Sequence, residues 1–515
     1  MKPSFIKCFR TLLIMLAVLA GTAGVGCFCL LRMHDPFPVL PGHAEGGEDI
    51  ANWWESPSPL TESETAAQQW LADITFRLAQ ADEGAVWNVG GSQHGVFAIR
   101  YQVAFACYAA SALGMRTPAY IGLTQSILTN GVARLADKRA WEYIQTYWSR
   151  EPLFPDPCAK GNVMYSGHLM QVMALAEALS GDPTYNRDGV DLEWDRHHRV
   201  RYTTRLLAET IAGQIRAGEG GVTCEPGLVF FACNNHPHIA FRLLEGMGYG
   251  DWRGDSAKWE AWSLGRFRAT AGGGAFRILH HEKSGLAFPR GQAGFDGWSL
   301  LWYAPWASRV ENVPVLWSLA RARIAWSDYG DDPKDYPVDL IGGSCCNPLQ
   351  VPSAANASFL AAASRACGDT VTAERLERWL DRHFRRQEKG RFWLNTHREW
   401  RTGVTANRII ALALANGSDL RALVRHPLPR DYFKGVLLAA VEPSDTPVFQ
   451  AYRDAQGGLV IELDGDGRTV TLRFKNAAGK MAVELPDSVA AEWEENNDAL
   501  KLAPCHRLTV RISQK

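Results

Sequence analysis

Three short stretches of this sequence concentrate side chains that move protons or bind metals. Asn162-Val163-Met164-Tyr165-Ser166-Gly167-His168-Leu169 follows Pro155-Asp156-Pro157, so a loop delivers the chain to a helix start and places His168 near its first turns. In Gly221-Val222-Thr223-Cys224-Glu225-Pro226, the proline disfavours helix at Glu225 and predicts a loop. Phe231-Ala232-Cys233-Asn234-Asn235-His236-Pro237-His238 then leads into a helix expected over Ile239–Leu244. Two cysteines, a carboxylate and two histidines therefore fall within fifteen residues, from Cys224 to His238.

Such a group admits several chemistries. Buried packing or a disulfide is the plain reading. Zinc held by Cys224, Cys233, His236 and His238 would give the four ligands of a tetrahedral site. The Cys-x8-Cys spacing is looser than the usual Cys-x2–4-Cys, however, and His-Pro-His is awkward for two ligands on one ion; no metal is expected. The remaining reading is acid/base work in a dry pocket, where a carboxyl or thiol of raised pKa gives a proton and a thiolate or carboxylate takes one. An isolated His168 on an apolar helix is by itself an ordinary packing residue. Cys345-Cys346, His197-His198 and His280-His281 read as structural or surface doublets.

The elements that must position these residues are helices. From about Leu60 to Ala440, amphipathic segments such as Val163–Leu179, Arg201–Arg216 and Val371–His383 alternate with Gly, Pro, Asn and Asp clusters. Roughly a dozen helices are expected by typical lengths, and paired antiparallel helices of that number close into an (α/α)6 toroid. No fixed repeat of 30–45 residues supports an open solenoid. Near Glu442 the pattern changes to period two: Leu459–Leu463, Thr469–Phe474, Met481–Leu485 and Leu508–Ile512 read as strands, with Asp464–Gly467 as a turn. The expected organisation is a basic segment over 1–10, a membrane anchor over 11–31, a linker over 32–59, a helical domain over 60–440 and a small β-rich domain over 441–515.

The anchor is an expectation from apolar length and flanking charge, with cleavage after the small residues near Ala20–Gly26 as the alternative. Thr11–Leu31 carries no charge over 21 residues and follows Lys2, Lys7 and Arg10. About 20 apolar residues span a bilayer core, and the basic flank predicts a cytoplasmic N-terminus with the body on the far side, the periplasm in a bacterium. The formal net charge of −1 gives no field to recruit nucleic acid. Eleven cysteines in 515 residues make no disulfide framework. The 19 tryptophans suit helix packing or an apolar pocket. A homo-oligomer is allowed by the sequence but not required.

Asn162-Val163-Met164-Tyr165-x-Gly167-His168-Leu169, Gly221-Val222-x-Cys224-Glu225-Pro226 and Cys233-Asn234 together resemble the linalool dehydratase/isomerase family, in the same order and at similar spacing. Tyr101-Gln102-Val103-Ala104-Phe105, Gly274-Ala275-Phe276, Ser284-Gly285 and Trp298 extend the resemblance, which covers roughly Gln69–Ala320 well. It implies an (α/α)6 barrel that dehydrates or isomerises an allylic, terpenoid-like alcohol without cofactor or metal. The implied catalytic groups are Cys224, Cys233 and His168, with Asp73 for the family's aspartate and Asp82 as competitor. Tyr101 is the implied active-site tyrosine. Tyr165, Glu225, Asn234, His236, Phe295 and Asp296 complete the candidates for substrate contact. Ala79 and Gln80 stand where the family has a tyrosine, Gly294 beside Phe295 and Asp296 meets another, and His236-Pro237-His238 lies outside the pattern. A covalent thioether through cysteine is an alternative route. Two other functions stay open: a carbohydrate-active (α/α)6 enzyme using Asp73, Asp296 and Glu225, and a Cys/His zinc-dependent hydrolase. A non-catalytic envelope protein of the same fold is a third.

Overall fold

The computed structural model describes residues 52–79, 98–148, 155–268, 275–290, 293–327, 336–339, 353–396, 400–477, 481–494 and 498–514. The expected anchor, Asp82 and the Cys345-Cys346 doublet lie outside them. Among the described residues no helix is long and apolar enough to cross a membrane.

Among the described residues, twelve long helices form the body: α1 (Glu62–Ala79), α2 (Ile99–Gly114), α3 (Ile121–Ala136), α4 (Val163–Ser180), α5 (Thr204–Ala217), α6 (Phe231–Gly246), α7 (Arg253–Phe267), α8 (Ala293–Tyr303), α9 (Asn312–Arg321), α10 (Ala354–Ala366), α11 (Thr370–Phe384) and α12 (Arg401–Ala415). The even-numbered helices make an inner ring. Each packs on the next, α2 on α4, α4 on α6, and so on to α12, which packs back on α2. The odd-numbered helices lie outside, with α3 against α2 and α4, α5 against α4 and α6, and α11 against α10 and α12. The ring is therefore closed.

Composition explains which helix goes where. All of α2 and α4 is buried, and both are apolar around the whole circumference, as a helix surrounded by others must be. The outer helix α11 buries only Thr372, Ala373, Leu376, Glu377, Trp379 and Leu380, one face of an amphipathic pattern. The expected helix over Arg201–Arg216 starts later, at Thr204, because Thr203 accepts from the Leu206 amide as an N-cap and Arg201 belongs to a preceding strand.

Short hairpins join the helices. β1 (Thr223–Glu225) and β2 (Leu228–Phe230) pair and continue through β3 (Arg277–His281) into β4 (Leu286–Arg290). β5 (Arg385–Glu388) and β6 (Arg391–Leu394) form another hairpin beside α1. The C-terminal sheet contains β7 (Leu437–Glu442), β8 (Val448–Arg453), β9 (Leu459–Lys475), β10 (Met481–Glu484), β11 (Ala491–Glu494) and β12 (Ala499–Gln514), all antiparallel. The turn expected at Asp464–Gly467 is instead an irregularity inside β9. Both halves of β9 pair with the same partner, β12, and the register shifts where Asp466 and Gly467 take positive φ.

The sheet is joined to the helical body by backbone. Leu438 bridges Tyr120 in parallel, and the Ala119 amide donates to the Ala451 carbonyl at 2.9 Å. Gly122 permits this: a Cβ there would stand 1.6 Å from the Ala439 carbonyl oxygen.

Candidate active site

The residues that meet in the ring come from the first two turns of its helices: Tyr101 of α2, His168 of α4, Cys233 of α6, Trp298 of α8 and Phe359 of α10. The site therefore lies at the end where the inner helices begin. Their positive dipole ends favour negative charge there.

Cys224 reaches this end on β1, not on a loop. Pro226 with Gly227 at φ +77° turns the chain into the β1–β2 hairpin. The next helix also begins earlier than expected, at Phe231, so Pro237 lies inside it. Proline there removes the hydrogen bond to the Cys233 carbonyl four residues back. Its ring fits only because α4 has Gly167 opposite: a Cβ on Gly167 would stand 2.9 Å from Pro237 Cδ. That close approach brings α4, with His168, against α6, with Cys233.

Asn234 fastens the hairpin to α6. Its Oδ1 accepts from the Val222 amide at 2.8 Å, and its Nδ2 donates to the carbonyls of Val222 and Phe230, both at 2.9 Å. This brings Cys224 beside Cys233, near enough for the second thiol to act on the first, and both cysteines are free and buried. Burial, then the neighbouring Cys233 and Glu225, push the Cys224 thiol well above its ordinary range, so it stays protonated at neutral pH.

Around the sulfurs stands an aromatic wall. Tyr101 Oη is 3.5 Å from Cys233 Sγ, and its ring meets His168 and Trp298 edge-on at 5.1 and 5.2 Å. Trp298 stacks on Phe359 at 5.5 Å, and half-buried Phe295 stacks on Trp298 at 6.1 Å. His168 Nδ1 is 2.8 Å from Tyr108 Oη. Its ring centroid is 3.8 Å from that of His236. Burial, with Arg100 second, holds the His168 imidazole well below its usual range, and burial with His168 second does the same to His236.

Arg100 is one residue that sequence reading missed. Its guanidinium is fully buried 4.7 Å from the Tyr101 ring centroid and 4.1 Å from that of Tyr143. The signal was available, because it is the sole charge in α2. Its field opposes the burial that raises the Glu225 carboxyl, one oxygen of which is buried without a partner among the described residues.

A family model for linalool dehydratase/isomerase matches residues 100–400, from Arg100 through the thiol pair to just before the last inner helix, α12. The chain belongs to the linalool dehydratase/isomerase family. Solved structures are more distant. An unsaturated glucuronyl hydrolase specific for heparin is 11% identical, with 71% of this chain and 98% of that one covered at a TM-score of 0.43. The unsaturated glucuronyl hydrolase of Bacillus sp. GL1 is 12% identical, with 67% and 96% covered at a TM-score of 0.43. An α-amylase from Clostridium perfringens is 8% identical, with 69% and 98% covered at 0.42. These likenesses are too weak to bear on chemistry.

Of the site residues expected from the sequence, Cys224, Cys233, His168 and Tyr101 come together, with Glu225, His236 and Phe295 beside them. Four others do not join them. Asp73 lies on the outer helix α1, 40% exposed, and pairs with Arg391 of β6 at 2.8 Å. Tyr165 turns outward, donating to the Leu135 carbonyl at 2.8 Å and packing on Trp141. Asn234 spends its amide on backbone, as above. Asp296 accepts from the amides of Ala275 and Phe276 at 3.0 and 2.9 Å and pairs with Arg323 at 3.4 Å. It therefore pins Ala275 and Phe276 instead of facing the sulfurs.

The two histidines among the four zinc-ligand candidates are engaged elsewhere. His236 has both nitrogens engaged, by Gln171 and Trp298. His238 bonds Ser256 at 2.9 Å and sits between Trp259 and Trp306. Among the described residues no three His, Cys, Asp or Glu side chains gather as an ion-binding set. The cavity of about 530 Å³ at the other end of the ring, lined by residues such as Ala304, Arg365, Cys367 and Asp419, contains none of the residues above.

Proposed function

We propose that this protein is a cofactor-independent lyase/isomerase that dehydrates or isomerises an apolar allylic alcohol with its thiol pair as acid and base. The observation that carries the reading is the pairing of two free, buried thiols, Cys224 and Cys233, with Tyr101 3.5 Å from the second sulfur. Family membership gives the reaction class its context.

One thiol gives its proton to the hydroxyl, which leaves as water. The resulting thiolate takes a proton from the carbon next to the allyl cation, and the thiol is restored. In isomerisation, water adds instead to the far end of the allyl system and returns its proton to the thiolate. The faces of Tyr101, Trp298 and Phe359 suit an apolar skeleton and stabilise developing positive charge. Arg100 offsets the charge of the transient thiolate.

The decisive experiment measures turnover of small allylic alcohols by the full chain, before and after thiol alkylation and in Cys224→Ser and Cys233→Ser. Loss of turnover in all three supports the proposal. Full turnover by the double serine variant overturns it. Hydrolysis of a glycan that survives alkylation would favour the carbohydrate reading. That reading needs two carboxylates facing one sugar bond, whereas Asp73 and Asp296 are each committed to an arginine. Thr11–Leu31 as a membrane anchor, with the catalytic body outside the cytoplasm, is part of the same proposal.

A further inference from the structure

The hydrogen bonds around the two adjacent imidazoles determine which nitrogen of each carries hydrogen. His236 Nδ1 is 2.7 Å from Gln171 Oε1, and Trp298 Nε1 lies 3.1 Å from His236 Nε2. An indole N–H can only donate. His236 Nε2 is therefore bare and its hydrogen sits on Nδ1, donated to the Gln171 oxygen. Adding a proton to Nε2 would set two donors head to head, so this ring is held neutral.

Tyr108 decides the state of His168. Its Oη is 2.8 Å from His168 Nδ1 and has no other hydrogen-bond partner among the described residues. A buried phenol hydrogen without an acceptor carries the full desolvation penalty, whereas an unused lone pair on the same oxygen costs little. Tyr108 therefore donates to Nδ1, and the hydrogen of His168 sits on Nε2. That nitrogen is buried and without a partner among the described residues. A buried N–H with nothing to donate to marks a place reserved for a ligand acceptor.

We propose that His168 acts as a neutral hydrogen-bond donor, through Nε2–H, to the oxygen of the substrate hydroxyl. Tyr108, His236 and Trp298 are then positioning residues that hold it in this one tautomer. The inference rests on the alcohol-handling function above and deepens it. The proton of the departing hydroxyl comes from sulfur, while His168 orients the oxygen and remains uncharged. The nearby Arg100 charge works in the same direction, since it disfavours an imidazolium.

The test is long-range proton–nitrogen spectroscopy of the full chain carrying nitrogen-labelled histidine, in the absence of substrate, with signals assigned through His168→Gln and His236→Gln. The expected result is one ring with hydrogen on Nε2, lost in His168→Gln, and one with hydrogen on Nδ1, lost in His236→Gln. In Tyr108→Phe, His168 should no longer hold a single tautomer, and kcat for an allylic alcohol should fall about tenfold with KM within about twofold. If Tyr108→Phe does not fold, Trp298→Phe reads the same network through loss of the fixed His236 tautomer. Hydrogen on Nδ1 of His168, a cationic His168 near neutral pH, or full turnover by Tyr108→Phe would each overturn the proposal. Correct tautomers in a protein that turns over no allylic alcohol would overturn the proposed function and the hydroxyl assignment with it, and would leave only the hydrogen-bond network.

Discussion

Sulfur at Cys224 and Cys233 differs from oxygen by acidity far more than by shape. Serine in either place would leave the hairpin and helix intact but put the side-chain pKa out of reach of proton transfer. The expected loss of turnover in Cys224→Ser or Cys233→Ser is about 10²–10⁴-fold, the usual range for one acid/base group, with the urea midpoint nearly unchanged. A second prediction concerns the buried histidines. Burial, with Arg242 second, lowers His238 to about 3, and His168 and His236 are lowered in the same direction. The unfolded chain binds protons at these sites below about 6.5 while the folded one does not. Stability from them is thus fully present above about pH 6.5 and is lost as pH falls towards the folded values. Urea denaturation across pH 5–7 should show this slope, and His238→Phe should reduce it by up to about 1.4 kcal/mol per pH unit. An unchanged slope in that variant would show that His238 is not the source.

Two elements meet at the sulfurs, and each has a residue whose loss should separate them. Asn234→Ala removes three hydrogen bonds and strands the amide and carbonyl of Val222 in a buried place. A cost of about 3 kcal/mol is expected, together with faster alkylation of Cys224 as the hairpin loosens; equal alkylation rates would place the clamp elsewhere. Gly167→Ala forces a methyl against Pro237 Cδ and Val163 Cγ2, at 2.9 and 3.2 Å. The helices α4 and α6 must part, at about 1–3 kcal/mol, and turnover should drop more than the fraction folded does. Retained turnover at full stability would mean that the approach of the helices does not set the site.

At the scale of the whole molecule, the β-rich domain is held on the barrel by backbone hydrogen bonds that leave no room for a side chain. Gly122→Ala would drive a methyl into the Ala439 carbonyl. Hydrogen exchange should then accelerate in β7 and β8 while α6 keeps its protection; uniform exchange would indicate that the two domains unfold as one. The membrane proposal is tested at the same scale. A reporter joined after residue 60 should be active only outside the cytoplasm, and activity confined to the cytosol would reverse the orientation.

The sequence by itself determined the paired-helix body, the period-two C-terminal strands and the three motifs of the site, because these depend on local periodicity and on residue type. It also fixed the order in which Cys224, Cys233 and His168 appear, which was enough for the family resemblance. It misjudged Pro237 as lying before a helix, since a proline is tolerated there only when a neighbouring helix offers a glycine, a fact of packing. It grouped Tyr165, Asn234 and Asp296 with the substrate because adjacency in a motif does not say which way a side chain turns. Each is taken by a partner far along the chain: Leu135, Val222 and Arg323. Asp73 stands where the family resemblance implies an aspartate, and only the ring shows that its helix is an outer one. Arg100, Tyr108, Gln171 and Trp298 gain their meaning from contacts between α2, α4, α6 and α8. Closure of the ring alone brings those contacts about, and no window of sequence contains it.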